Sequence, residues 1–417
     1  MSSMLGGAKL GALQMIDKAR ISSLPVLSSC GLYRIRGFSR AMSGTVSSYL
    51  PEFVSVDDKI WAVKNISEGS IIRIASYNIL AQAYIRSTLF PHSPAHCLKW
   101  KARSQSVLAL LKSLEADFLC LQELDEFETF YKGNMDKHGY SSVYIQRSGR
   151  KRDGCGIFYK RERAELLLEE VIQYNDLVPV DEVPAESYEV EEKETSNPEN
   201  CRDSSPTKTS GSQQTNLLDD RGDPDDPKVR LKRDCVGLLT AFKLLEPPHH
   251  VIVVANTHIY WDPEWVDVKL AQVKYLLLQL ANFKDTISTK FDCRPLVFVT
   301  GDFNSTPGDE VYQYLISGIS QYDNGYSYKT NTKEASSGSP IALHSLYAYI
   351  GGEPPFTNYT PGFTGTLDYI LFSSPNHVQP IRVLKLPSDE SPDIQGGLPN
   401  ENHPSDHLPI GADFEIH

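Results

Sequence analysis

From residue 71 onward the chain repeats one pattern: a short, largely apolar run followed at once by a polar residue. Residues 71–75, 118–121, 251–255 and 296–299 are such runs. Each is too short for a helix and rich in branched or aromatic side chains, so each predicts a buried strand. Residues 156–159 and 235–244 predict two more strands. Residues 97–115 carry Leu98, Val107, Leu108 and Leu111 at helical spacing, and a second helix is predicted over about 263–283.

The residues that end these runs share a chemistry. Residues 71–75 lead into Ser76-Tyr77-Asn78, and 118–121 into Gln122-Glu123. Residues 251–255 lead into Asn256-Thr257-His258, and 296–299 into Thr300-Gly301-Asp302-Phe303-Asn304. Asp368 precedes the apolar Tyr369-Ile370-Leu371-Phe372, and Asp406-His407 precedes Leu408-Pro409-Ile410. Burying one carboxylate, amide or imidazole without a partner costs several kcal/mol, about 2 to 7 for a neutral polar group. One such residue at a strand end reads as a turn or cap. Six elements that each bring one predict a single shared polar site on a sheet scaffold. These residue types suit metal-assisted phosphate hydrolysis. Carboxylates and amides are hard oxygen ligands for magnesium, imidazoles can neutralise or protonate phosphate oxygens, and a carboxylate beside a water can orient and deprotonate it.

Composition changes this picture in two places. The net charge of −12 looks wrong for an enzyme acting on polyanions, but residues 181–227 hold 14 acidic and 4 basic residues. The rest has 39 acidic and 37 basic residues, a net of −2. That acidic stretch has almost no large apolar residues, which predicts a disordered surface insertion. Residues 1–41 are the opposite: Lys9, Lys18, Arg20, Arg34, Arg36 and Arg40 face only Asp17 among many serines. That composition predicts an organelle transit peptide, with a disordered tail or a start at Met42 as the alternatives. Location is accordingly expected to be mitochondrial or cytoplasmic, with a nuclear pool also open. Residues 42–69 read as a lead-in and 70–417 as one catalytic domain. No apolar stretch approaches the roughly 18 residues of a membrane span. The seven cysteines form no CxxC pair, so free thiols are expected.

Taken together, SYN at 76–78, LQE at 121–123, NTH at 256–258, GDFN at 301–304, LDYI at 367–370 and SDH at 405–407 resemble the endonuclease/exonuclease/phosphatase superfamily. The stretch His258-Ile259-Tyr260-Trp261-Asp262-Pro263-Glu264-Trp265 and its continuation through Gln272 is similar to the carbon catabolite repressor 4 group of deadenylases, with nocturnin and angel relatives. So is the run from Phe363 to Ile370. The resemblance implies a four-layer α-β-β-α sandwich with two central mixed sheets. It implies a magnesium-dependent 3′-to-5′ exoribonuclease that shortens the poly(A) tail of mRNA and releases AMP, with manganese as a substitute ion. Glu123 becomes the principal metal ligand, joined by Asn78, Asp302 and Asp406. Asp302 would also orient the attacking water, and Asn304 would bind the scissile phosphate. His407, aligned by Asp368, and His258 would contact that phosphate from opposite sides. Pro263 and Phe363 would stack on the terminal adenine; the alternative for Phe363 is a loop anchor packed on the core.

Leucine-rich repeats are absent, which argues against direct docking to a multiprotein deadenylation complex. Two other functions remain open. A nocturnin-like NADP(H) 2′-phosphatase would use the same metal chemistry, but the acidic and apolar Trp261-Asp262-Pro263-Glu264 favours a stacked base over an extra phosphate. A non-catalytic RNA-binding scaffold is disfavoured by the intact set of ligands.

Overall fold

The computed structural model describes residues 50–56, 70–178, 223, 225–246, 250–318 and 339–417. Residues 1–41, expected to be a transit peptide or a disordered tail, and nearly all of the acidic 181–227 stretch lie outside these residues.

A seven-stranded sheet runs, in spatial order, β1 (Phe53–Ser55), β14 (Val378–Leu384), β15 (Ile410–Ile416), β2 (Ser70–Asn78), β3 (Phe118–Gln122), β5 (Gly154–Lys160) and β4 (Tyr140–Gln146). A six-stranded sheet runs β10 (His344–Ser345), β13 (Asp368–Phe372), β9 (Leu296–Asp302), β8 (Val251–His258), β7 (Val236–Leu244) and β6 (Ala164–Gln173). β11 (Asn358–Thr360) and β12 (Phe363–Gly365) make a separate hairpin. Because β1 pairs with β14, the first sheet reaches back into the expected 42–69 lead-in.

Each sheet is mixed, and each is centred on one parallel pair. β2 and β3 run parallel, joined through α1 (Trp100–Ser113). β8 and β9 run parallel, joined through α4 (Val266–Phe291). A parallel pair needs such a crossover, and it brings both C-terminal ends to one edge. The remaining described helices are short: α2 (Lys132–Asp136), α3 (Pro227–Arg230), α5 (Glu310–Ser317) and α6 (Leu346–Ile350).

Alternation along the strands builds the layers. Odd-numbered Ala75, Tyr77, Leu119 and Leu121 pack outward on α1 and α2. Odd-numbered Val253, Ala255, Val297 and Val299 pack outward on α4 and α5. Even-numbered Ile72, Ile74, Phe118, Ile252, Val254 and Phe298 face one another between the sheets. Rings lock that interface: Phe298 meets Phe414 edge-on at 5.0 Å, and Phe118 meets Phe242 at 5.0 Å. Full burial of each such side chain contributes about 1.5–3 kcal/mol. The expected four-layer α-β-β-α sandwich is what results.

The second long helix starts later than expected and runs further. Trp265 donates its N–H to the Asp262 carbonyl, so residues 262–265 form a turn before α4 begins. Ile287 continues the buried face beyond Phe283. The five cysteines among the described residues are all free, as expected. No described helix is long and apolar enough to cross a membrane.

Candidate active site

The inward, even-numbered positions change character toward one edge of both sheets. Ile72 and Ile74 give way to Ser76 and Asn78, Phe118 and Cys120 to Gln122, and Val254 to Asn256 and His258. Phe298 gives way to Thr300 and Asp302, and the antiparallel β13 enters with Asp368 before Ile370 and Phe372. Strand register makes these ends adjacent: Asn78 pairs with Gln122, His258 with Asp302, and Asp302 with Asp368.

The deeper polar layer ties the sheets together. Gln122 Nε2 donates to Ser76 Oγ at 3.0 Å and, across the interface, to Asn256 Oδ1 at 2.7 Å. Asn256 Nδ2 donates to the carbonyls of Leu121 and Gly156. Thr300 Oγ1 donates to the Ala255 carbonyl. Such a layer is stable because nearly every member is satisfied. Sequence reading assigned Gln122 and Asn256 no role, although the two-residue alternation that marks the core also marks them.

The outer layer holds the predicted residues. Asn78 bridges the two sheets: its Nδ2 donates to Asp302 Oδ2 at 3.0 Å and lies 3.3 Å from Glu123 Oε1. Glu123 leaves β3 in a left-handed conformation, φ 52°, and its Oε2 accepts from the Ala81 N–H at 2.9 Å. Its carboxylate and that of Asp302 thus share one amide. Asn304 is also left-handed, φ 45°. Its N–H donates to Asp302 Oδ1, its Nδ2 to the Ile259 carbonyl, and Lys269 Nζ holds its carbonyl at 2.8 Å. Left-handed backbone is sparsely populated by non-glycine residues and persists where surrounding bonds fix it.

The two histidines are placed on either side of Asp302. His258 Nε2 lies 3.5 Å from Asp302 Oδ2, and His407 Nε2 lies 3.6 Å from the same atom. His407 Nδ1 donates to Asp368 Oδ2 at 2.8 Å, and Thr357 Oγ1 donates to that oxygen as well. Ser405 Oγ donates to the Asn78 carbonyl, which draws the 405–407 segment onto the end of β2.

Electrostatics separates these groups. Burial, reinforced by Asp406 and Asp153, pushes the Glu123 carboxyl up to about 8. Burial and the neighbouring Asp368 also raise Asp302. Burial lowers His258 to about 4, with Asp302 only partly offsetting it. Burial would lower His407 too, but Asp368 and Asp302 outweigh it and hold that imidazole well above its ordinary range. One histidine is therefore neutral and the other an imidazolium.

Pro263 and Phe363, the expected stacking residues, lie outside the hydrogen-bonded cluster. Pro263 is exposed in the turn before α4. Phe363 is 39% exposed, against the core-anchor alternative. Its hairpin is tied to the site, since Asn358 bridges to His407 and the Tyr359 N–H donates to the Asp406 carbonyl. Asp153, Arg147 and Tyr84 were not expected here. Tyr84 Oη donates to Asp153 Oδ1 at 2.6 Å, and Arg147 Nη1 lies 3.6 Å from Asp153 Oδ2.

The donor set fits a divalent cation. Asp302, Asp368 and His407 bring side-chain atoms within 4.8 Å of one another, all buried, and with His407 charged the two carboxylates are the donors a cation would use. Asp368 Oδ1 and Asp153 Oδ2 are buried with no hydrogen-bond partner. Carboxylates buried and crowded together are what a hard cation relieves.

An α-β-β-α sandwich with carboxylates, amides and imidazoles gathered at the strand ends defines a metal-dependent phosphoesterase. Residues 75–407 match the Endonuclease/Exonuclease/phosphatase family. The chain is 52% identical over 352 residues to Carbon catabolite repressor protein 4 homolog 4 of Arabidopsis thaliana, covering 84% of this chain and 79% of that one. It is 30% identical over 378 residues to the CCR4-Not complex 3'-5'-exoribonuclease subunit Ccr4 of Schizosaccharomyces pombe, covering 82% of this chain but 49% of that relative. The solved structure of ANGEL2, described as a 2',3'-cyclic phosphatase, superposes with a TM-score of 0.63 at 24% identity, over 88% of this chain and 98% of that one. The chain belongs to the endonuclease/exonuclease/phosphatase family, in its carbon catabolite repressor 4 branch.

Proposed function

We propose that this protein is a magnesium-dependent 3′-to-5′ exoribonuclease that shortens poly(A) tails and releases AMP. Its likeness to the Arabidopsis and fission-yeast proteins supports this reading. The observation that carries it is geometric: the exposed Phe363 and the buried His407 belong to one hydrogen-bonded unit, joined through the Asn358 bridge. A terminal base resting on that ring would gain about 1–3 kcal/mol from stacking and would bring its own phosphate toward the imidazolium.

In this reading Glu123, Asp302 and Asp406 would hold the magnesium ion; Asn78, expected as a further ligand, instead turns its Oδ1 to the Leu80 N–H and positions the two carboxylates with its Nδ2. Bound there, the ion supplies charge that offsets the negative charge gathering on the phosphate. Asp302, its carboxyl raised by burial and by Asp368, accepts the proton of the attacking water. Water adds to phosphorus as the bond to the upstream 3′ oxygen breaks; that oxygen takes a proton from solvent, leaving AMP and a 3′-hydroxyl end. His407, held charged by Asp368, hydrogen-bonds a non-bridging oxygen. Neutral His258 and Asn304 contact the same phosphate from the other side.

A substrate panel of oligo(A), other homopolymers, DNA and NADPH, each with and without magnesium, tests this. Trimming of oligo(A) only with magnesium is expected, with NADPH left intact. Phosphate release from NADPH without RNA trimming would instead establish the 2′-phosphatase, and RNA binding with no cleavage of any substrate the scaffold.

A further inference from the structure

One group of charges near the site has no part in the chemistry above. The turn from β4 to β5 reads Arg147-Ser148-Gly149-Arg150-Lys151-Arg152, four cations in six residues of a chain whose net charge is −12. The turn is fastened to the opposite sheet. Ser148 Oγ donates to Asp234 Oδ1 at 2.7 Å, and Arg147 Nε donates to the Asp234 carbonyl just before β7. Gly149 turns at φ 68° with the Asp234 carboxylate so close that an added Cβ would meet it at 2.9 Å. The turn therefore spans the rim where the two sheets open.

Its four cations divide by role. Arg147 is spent internally, against Asp153 and backbone carbonyls, with a side chain only 9% exposed. Arg150 and Arg152 are exposed and make no ion pair among the described residues. Lys151 is half-buried and folded inward: its Nζ lies 5.4 Å from the centroid of Tyr84, whose hydroxyl donates to Asp153. Glu123, Asp153, Asp302, Asp368 and Asp406 make the mouth itself acidic. A polyanion needs a positive approach beside such a mouth, because cations next to a focused negative field set both encounter and register.

We propose that this turn is a phosphate rail for single-stranded RNA: Lys151 meets the phosphate beside the scissile one, and Arg150 and Arg152 meet phosphates further upstream. The proposal rests on the exoribonuclease reading above. Contacts of this kind carry affinity and salt dependence and are blind to base sequence.

The test is binding by the full-length protein, with calcium in place of magnesium, to an oligo(A) 20-mer, a mixed-sequence RNA 20-mer and NADPH across a salt series. Wild type is compared with Lys151→Gln and with the Arg150→Gln/Arg152→Gln double variant, thermal midpoints serving as the folding control. The double variant is expected to flatten the slope of log affinity against log salt by about 1.4, and Lys151→Gln by about 0.7, since each phosphate contact on a single strand contributes about 0.7. The flattening is expected on both RNAs. Unchanged slopes on both RNAs, or no RNA binding by wild type, would overturn the rail. A loss confined to NADPH would overturn it too and give the turn to a dinucleotide. Equal wild-type affinity for the two RNAs, with flattened slopes, would count against poly(A) preference while sustaining the rail.

Discussion

The floor and the mouth of the space between the two sheets are made by the same strands with the same alternation of side chains. At the floor, Ile72, Phe118, Ile252 and Phe298 interlock as an apolar core. At the mouth, four to six residues further along, Asn78, His258 and Asp302 crowd polar groups into comparable burial, with the partly covered Glu123 beside them. The floor gains free energy on folding from every group it buries. The mouth is held in place by that floor and gains its own compensation only from mutual hydrogen bonds and a cation. Stability and chemistry are thus segregated along single strands.

The sharpest way to break this division is to change one residue on each side. Glu123→Gln is expected to lower turnover about a thousandfold, roughly 4 kcal/mol of transition-state stabilisation, with little loss of thermal stability. Steady-state kinetics beside a melting curve would reveal the opposite pattern if the division is wrong. Phe298→Ala should do the reverse, costing about 3–5 kcal/mol in denaturant unfolding while folded molecules keep their turnover. A comparable loss of turnover per folded molecule would show that the floor tunes the chemistry.

A pH series on metal-stripped protein makes a finer cut. A carboxyl at 4.5 in the unfolded chain and about 8 when folded favours the folded state, in its protonated form, below pH 4.5. That contribution is lost as the pH climbs through 8. Wild type should therefore lose stability relative to Glu123→Gln between those values, read as a widening gap in midpoint temperature. A constant gap would place the carboxyl in an ordinary environment. The smallest effect is expected from Thr300→Val, at the boundary between floor and mouth. It removes one buried hydrogen bond, worth about 1 kcal/mol, and should leave metal affinity as it is; isothermal titration of the metal checks this.

The same segregation explains what the sequence disclosed. Central strands such as β8 and β9 are buried on both faces, so their apolar runs stand out, and their polar ends mark the site. Edge strands were silent. β6 reads AELLLEEVIQ, a composition suited to a helix, and is a strand because it pairs along its length with β7. β4 reads YSSVYIQ, half polar, because at the sheet edge both its faces are only partly covered. Glu123, His258, Asp302, Asp368 and His407 were legible because each abuts an apolar run. Arg147, Lys151 and Asp153 were not, because they sit in a turn whose nearness to the site comes only from tertiary packing. The stacking partners lay between these cases: Phe363 was legible by resemblance, and its coupling to His407 depends on the Asn358 bridge, which no local pattern encodes.

The chemical groups stand at the ends of the main-sheet strands, whereas Pro263 and the cationic turn stand on connections between them and Phe363 on a small separate hairpin. Connections tolerate insertion and exchange far better than paired strands do. Lineages built on this frame are free to acquire new cargoes by rewriting loops, with the hydrolytic machinery inherited intact. Divergence among its descendants should therefore be concentrated in the peripheral loops.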